Sequence, residues 1–345
     1  MKSFFFTSIL LFILFFLSAD AFGKDPRKYA KDGTAFSKGT IKWNYDIGAA
    51  LKLSKKTNKK VLLFATEVPG CHACIRFGKN VLSDTLLDEA IESEFIPLFL
   101  AVGGKKNKND KDRKLLKTGN LGWQAVRILS SDGKDFITKP KTNGKLKTKE
   151  VLAMHMIEAL KKNNQDVPNY LLGLIVSPKK EQLKEVTFKG HCYWDCEVKF
   201  GALEGVLKTE AGKYNKGEAT RVWYDESKLN LSQLNLMVKK EKLGVSVKSF
   251  EPSNYSKARY SDQKHAINKN IYSKIIMTEF QAMKANAFFK TNKGKAMSYL
   301  SPRQIITLNE LSEKQKISFP EYLKKDNLTS SYKPYKKGTN LLKVQ

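Results

Sequence analysis

Beyond Leu17 the sequence has no apolar run long enough to cross a bilayer, which excludes a bundle of membrane helices; a crossing takes about 20 apolar residues. Arginine clusters and basic stripes interleaved with aromatics are missing too. The formal charge of +28 comes mostly from lysine scattered over the whole length. That is the pattern of a solvated surface, so no nucleic-acid partner is expected. The densest run, Lys105 to Lys117, is diluted by Asn and Asp and reads as a solvated loop. Cysteine and histidine are scarce, at four each. A zinc knuckle needs a closed set of such ligands. No two further ligands lie near Cys71 and Cys74 in the sequence, so neither a metal nor another cofactor is expected.

The N-terminus carries an address. Lys2 precedes an apolar run from Phe4 to Leu17, and small-residue exits follow at Ala19-Asp20-Ala21 or Ala21-Phe22-Gly23. This reads as a secretory signal peptide over 1–23, with a retained anchor as the alternative. The expected destination is the periplasm or the extracellular space. No cysteine follows the run, so a lipid-anchored form is not expected. The remaining chain of about 320 residues suits two domains of ordinary size.

The cysteines fall into two close pairs, Cys71/Cys74 and Cys192/Cys196. In an exported protein an even count normally reads as structural disulfides. A structural bridge stabilises most when it closes a long loop. Spacers this short close almost nothing, so both pairs read as redox or metal-binding thiols.

From Ile41 to Lys162 helical and strand patterns alternate. Residues 46–54 read as a helix, 60–65 as a buried strand ended by Pro69-Gly70, and 71–80 as a helix starting at Cys71. A helix over 85–93, a buried strand over 95–102 and a hairpin of 125–129 with 135–138 follow. An amphipathic helix over 149–162 closes the segment. A cysteine at a helix N-terminus has its thiolate stabilised by unpaired N–H groups and the dipole. Cys71 is therefore the expected nucleophile and Cys74 the resolving thiol, with His72 between them favouring the thiolate when protonated. The stretch VLLFATEVPGCHACIRFGKNVLSDTLLDEAIESEFIPLFLAV resembles the thioredoxin superfamily, in its exported branch. The resemblance covers 41–163 and implies that fold and dithiol chemistry. Gly70 stands where the superfamily has Trp, and Gln124 where it has the cis-proline facing the CxxC.

After a linker over 164–183, a strand over 184–188 leads to Cys192 and a helix that ends at Gly205-Val206. A strand over 220–224, a helix over 232–239 and a strand over 245–250 follow. This order suggests a split β-α-β core of ferredoxin-like type. The stretch CYWDCEVKFGALEGV, followed by EATRVWYD, resembles methionine sulfoxide reductase A. The resemblance implies that Cys192 attacks the sulfoxide sulfur and that Tyr193 and Trp194 wall the substrate methyl. Glu218 would protonate the departing oxygen. Cys192 would leave as a sulfenic acid that condenses with a thiol, with Cys196 the nearest partner and Cys71 the other. The family's glycine-rich loop is missing. Tyr214 is the candidate for its substrate-binding tyrosine, and Asp262 falls on its aspartate. The next tyrosine position falls on Ile267. His265 reads as an isolated surface histidine.

Taken together, the expected fold class is α/β: a thioredoxin-like domain followed by an α+β, ferredoxin-like (methionine sulfoxide reductase A-like) domain. The expected layout is signal peptide 1–23, linker 24–40, thioredoxin-like domain 41–163, linker 164–183, reductase-like domain 184–290 and basic C-terminal extension 291–345. The expected function is thiol-dependent reduction of methionine sulfoxide in oxidised exported proteins, with electrons from a membrane thiol donor. The alternative follows from a second resemblance, to heavy-metal-associated domains. It implies a soft-metal carrier binding Cu(I) through His191, Cys192 and Cys196.

Overall fold

The computed structural model describes residues 41–67, 76–102, 124–137, 148–175 and 181–314. It is a mixed α/β structure built on two sheets. The first sheet has the order β2-β1-β3. Helix α1 (Ile47–Thr57) is capped by Asp46, whose carboxylate accepts the Ala49 N–H, and Asn58 ends it in the left-handed region. Strand β1 (Val61–Glu67) follows. Its residues Val61 to Phe64 are all fully buried, the continuous apolar run of a strand covered on both faces. Helix α2 (Thr85–Glu94) is capped by Asp84. Strand β2 (Ile96–Val102) runs parallel to β1, and β3 (Gln124–Leu129) antiparallel on its other side. Helix α3 (Lys149–Lys162) buries Leu152, Met156 and Leu160 against the sheet.

Two expectations are corrected here. The partner strand expected at 135–138 is reduced to a single bridge, Leu129 with Asp135. The linker expected over 164–183 contains a short helix, α4 (Asn169–Leu172), that belongs to the first core. Tyr170, Leu171 and Leu174 are buried there, and a solvated linker would have left all three wet.

The second sheet has the order β7-β4-β6-β5-β8 with every pair antiparallel. Strand β4 (Leu183–Lys189), helix α5 (Tyr193–Ala202), strands β5 (Val206–Tyr214) and β6 (Gly217–Asp225), and helix α6 (Leu231–Lys240) come in that order. Strand β7 (Val245–Ser246) is much shorter than the 245–250 expected. Strand β8 (Tyr255–Lys257) closes the other edge. Strand β5 occupies a segment for which no strand was expected. Asn215 and Lys216 both take positive φ, 47° and 64°, the two-residue turn that matches strand twist in a hairpin. One sheet face packs on α5 and α6, with Phe188 stacked on Phe200 at 4.8 Å.

Helices α7 (His265–Asn268), α8 (Glu279–Phe288), α9 (Lys293–Met297) and α10 (Pro302–Lys314) complete the described chain. The expected basic extension is thus folded as far as Lys314. Gly201 lets α8 approach α5 closely, since a Cβ there would lie 3.1 Å from Met283 Cγ and from its carbonyl oxygen. Helix α10 lies on α2, where the Arg303 guanidinium meets Glu92 at 2.8 Å and the Arg303 backbone N–H donates to Glu89 Oε2 at 3.1 Å. Among the described residues no helix is long and apolar enough to cross a membrane.

Candidate functional site

Cys71, His72 and Cys74 lie outside the described residues, as does Gly70. The second thiol site can be built atom by atom. Strand β4 ends at Lys189, and Gly190 then donates its N–H to the Glu218 carbonyl at 3.0 Å. A Cβ on Gly190 would collide with the Leu243 carbonyl, and one on Gly244, at φ 133°, with that of Lys189. These two glycines let the 190 and 244 loops touch, which fixes where the chain emerges at Cys192.

Cys192 is the N-cap of α5, with extended backbone (φ −148°, ψ 107°), and its side chain makes no capping bond. A helix start leaves unpaired N–H groups that need acceptors. One acceptor comes from the sheet: Glu218 Oε2 takes the Tyr193 N–H at 2.9 Å. Alternation along β6 puts Glu218 on the same face as Thr220 and Val222, beneath α5. Cys192 therefore sits half-buried at the positive end of the helix with a carboxylate beside it.

Cys196 differs from its neighbour. Both thiols are free, but Cys196 is 1% exposed and directs Sγ at the Leu243 carbonyl, 3.5 Å away. Burial pushes its thiol up to about 12. At neutral pH it is a protonated core thiol, so it is a poor attacker of an oxidised Cys192. The metal alternative meets the same obstacle. His191 is exposed while Cys196 faces the core, and among the described residues no three potential ligands gather.

The aromatic pair at the start of α5 is asymmetric. Tyr193 is buried, whereas Trp194 remains 37% exposed. The Trp194 ring stacks on His265, centroids 3.8 Å apart and planes within 20°. This corrects the reading of His265 as an isolated surface residue. Nothing in the sequence announced it except its place three residues after Asp262. Burial lowers the His265 pKa, and Lys269 lowers it further while Asp262 opposes them. The ring is only partly buried, yet its Nδ1 is sealed from solvent without a hydrogen-bond partner. Burial raises the Tyr193 hydroxyl, and the nearby carboxylates of Asp262 and Glu218 raise it too. Asp262 therefore joins the group around the head of α5.

What holds the 262–265 segment there is a buried lysine. Lys264 takes a left-handed conformation, φ 48°. Its N–H donates to Glu197 Oε2 at 2.7 Å, and its ammonium lies 3.2 Å from Glu197 Oε1. The ammonium also donates to the Thr209 carbonyl at 2.5 Å. Gln263 pairs with the backbone of Ala211 through both amide atoms, at 3.0 and 2.7 Å. The segment is thus pinned to α5 and to β5 together.

Tyr214 is not part of this group. It pairs with Gly217 while Lys213 pairs with Glu218, so alternation sends Tyr214 to the opposite face of the sheet. There its hydroxyl donates to the Ser249 carbonyl and accepts the Glu251 N–H, both at 3.1 Å. Ile267, the other position where a tyrosine was sought, is a buried core residue. A separate cavity of about 110 Å³, walled in part by Glu210, Gln263, Lys264, Tyr272 and Glu279, has none of Cys192, Tyr193, Trp194 or Glu218 in its lining.

No family model matches this chain, and no curated protein matches it.

Proposed function

We propose that this protein is an exported thiol-disulfide oxidoreductase that reduces methionine sulfoxide in oxidised exported proteins through Cys192. Cys71 and Cys74 are its built-in dithiol, recharged by a membrane thiol donor. The observation that carries this reading is that Cys192 is the N-cap of α5 while the carboxylate of Glu218 binds the N–H of the next residue, Tyr193. A nucleophilic thiol and a proton source at one helix end are what sulfoxide reduction needs. The order β4-α5-β5-β6-α6-β7 supports the ferredoxin-like, reductase A-like assignment. The β2-β1-β3 arrangement with mixed strand directions supports the thioredoxin-like one.

In this reading the Cys192 thiolate bonds to the sulfoxide sulfur while Glu218 protonates the oxygen. The oxygen then passes to Cys192, leaving a thioether and a sulfenic acid. A second thiol displaces water from that sulfenic acid to form a disulfide. Because Cys196 is buried and protonated, Cys71 is assigned that step, and Cys74 then releases Cys192 by closing the Cys71–Cys74 disulfide. A tethered reductant works at an effective concentration of about millimolar.

The test is turnover of a methionine sulfoxide peptide by the full-length protein with dithiothreitol as reductant. Loss of turnover in Cys192→Ser, and its large reduction in Glu218→Gln, are the expected results. Turnover that ignores Cys192, or no turnover at all, overturns the proposal.

A further inference from the structure

A sulfoxide differs from the thioether it becomes by one oxygen, a strong hydrogen-bond acceptor. A site that prefers the sulfoxide must present a donor to that oxygen, because an acceptor buried without a donor loses its bonds to water and gains none. Tyr214 is spent on Ser249 and Glu251 across the sheet, and Ile267 has no donor. Glu218 holds the Tyr193 N–H on one of its oxygens. The side chain that does stand against the exposed wall of the site is His265, stacked on Trp194.

We propose that His265 is the donor that recognises the sulfoxide oxygen, offering its Nε2–H beside the Trp194 ring; this rests on the methionine sulfoxide reading above. The tautomer follows from burial. Neutral imidazole carries one proton, and which nitrogen holds it is set by the partner of the other. Nδ1 is sealed in the protein without an acceptor, so a proton placed there would be a buried donor left unpaired. The proton is therefore assigned to Nε2, which, unlike Nδ1, is not a buried atom without a partner. The same burial, with Lys269 nearby, keeps the ring in its neutral form. Stacking on Trp194 fixes the ring plane, and the Lys264–Glu197 and Gln263–Ala211 bonds fix the backbone that carries it. The donor is thus held rigidly before substrate arrives, which lowers the ordering cost of binding.

The experiment has a binding arm and a turnover arm, both on the full-length chain. In the binding arm, N-acetyl-methionine sulfoxide methylamide and the matching thioether are titrated into Cys192→Ser protein labelled with ¹⁵N-histidine. The sulfoxide should shift the Nε2 resonance of His265, and it should bind about tenfold more tightly than the thioether. His265→Phe keeps an aromatic ring against Trp194 but removes the donor, and should abolish that preference. His265→Gln supplies an N–H donor again and should restore part of it. In the turnover arm, His265→Phe should raise KM about tenfold with a smaller change in kcat. Equal sulfoxide preference in wild type and His265→Phe overturns the inference, as does a shift at Nδ1 alone or no sulfoxide binding. If the sulfoxide shifts Nε2 but the unsubstituted protein never turns it over, the donor assignment stands and the reductase reading falls.

Discussion

Glu218 on β6 accepts the backbone N–H of Tyr193 at 2.9 Å, so the carboxylate beside Cys192 also caps the helix that Cys192 begins. In the proposed reaction the same side chain is also the proton donor, and substitutions can separate the two roles. Glu218→Gln keeps an oxygen that can accept the N–H but has no proton to give. It should retain the melting temperature of the wild type while turnover falls by about 10² or more. Glu218→Ala should lose turnover and, in addition, about 1 kcal/mol of stability by urea unfolding.

Cys196 should behave as a core atom rather than a reagent. In a Cys71→Ser/Cys74→Ser background, iodoacetamide should modify one thiol per native chain, Cys192, and a second only in denaturant. Its folded-state value of about 12 lies above the ordinary 9. The unfolded chain therefore loses this proton first as pH rises. The stabilisation is complete below pH 9 and is lost on the way to 12, and Cys196→Ala should flatten that part of the stability curve.

The Lys264–Glu197 pair is buried on both sides, and Glu279 also lies 3.6 Å from the ammonium. Lys264→Met leaves two carboxylates without their cation and should cost about 3–5 kcal/mol. A second change, Glu197→Gln, should recover much of that loss, because the coupling is between contacting groups. Chemical denaturation of the four proteins of the cycle checks both statements.

The contact between α10 and α2 should make stability depend on pH in the acid range. Burial raises Glu89 from 4.5 to about 7, with Ser301 and Arg303 opposing. The folded chain thus keeps a proton that the unfolded chain releases. The benefit is full below pH 4.5 and disappears as pH rises through 7, a change of about 3 kcal/mol for this group. Glu89→Gln should remove it, seen as urea midpoints that no longer fall between these two pH values.

The order of elements was legible where apolar runs were unbroken, as in β1 and β2, because burial on two faces leaves nothing polar to blur the pattern; α3 was legible from its amphipathic period. Strand β5 was not, since TEAGKY mixes an acid, glycine and lysine. Its register comes from β6 and from the Asn215-Lys216 turn rather than from its own composition. At the site, Cys192, Glu218 and Asp262 could be named from motif spacing. His265 could not, because its stacking on Trp194 depends on Lys264 turning the chain through a left-handed residue against a glutamate one helix away. Tyr214 was misplaced for a simpler reason: one step along a strand reverses the face.

Arg303 reaches Glu89 across 214 positions of sequence. During synthesis, α2 would leave the ribosome with Asp88, Glu89 and Glu92 together and no guanidinium yet made. At ribosomal speed the missing cation arrives roughly 10–40 s later. Until then the first sheet exposes a patch of negative charge and the bare flank of α2. A chain stopped before residue 302 would keep that face open permanently, and the segment that first resembles a dispensable lysine-rich tail is what finishes the N-terminal half.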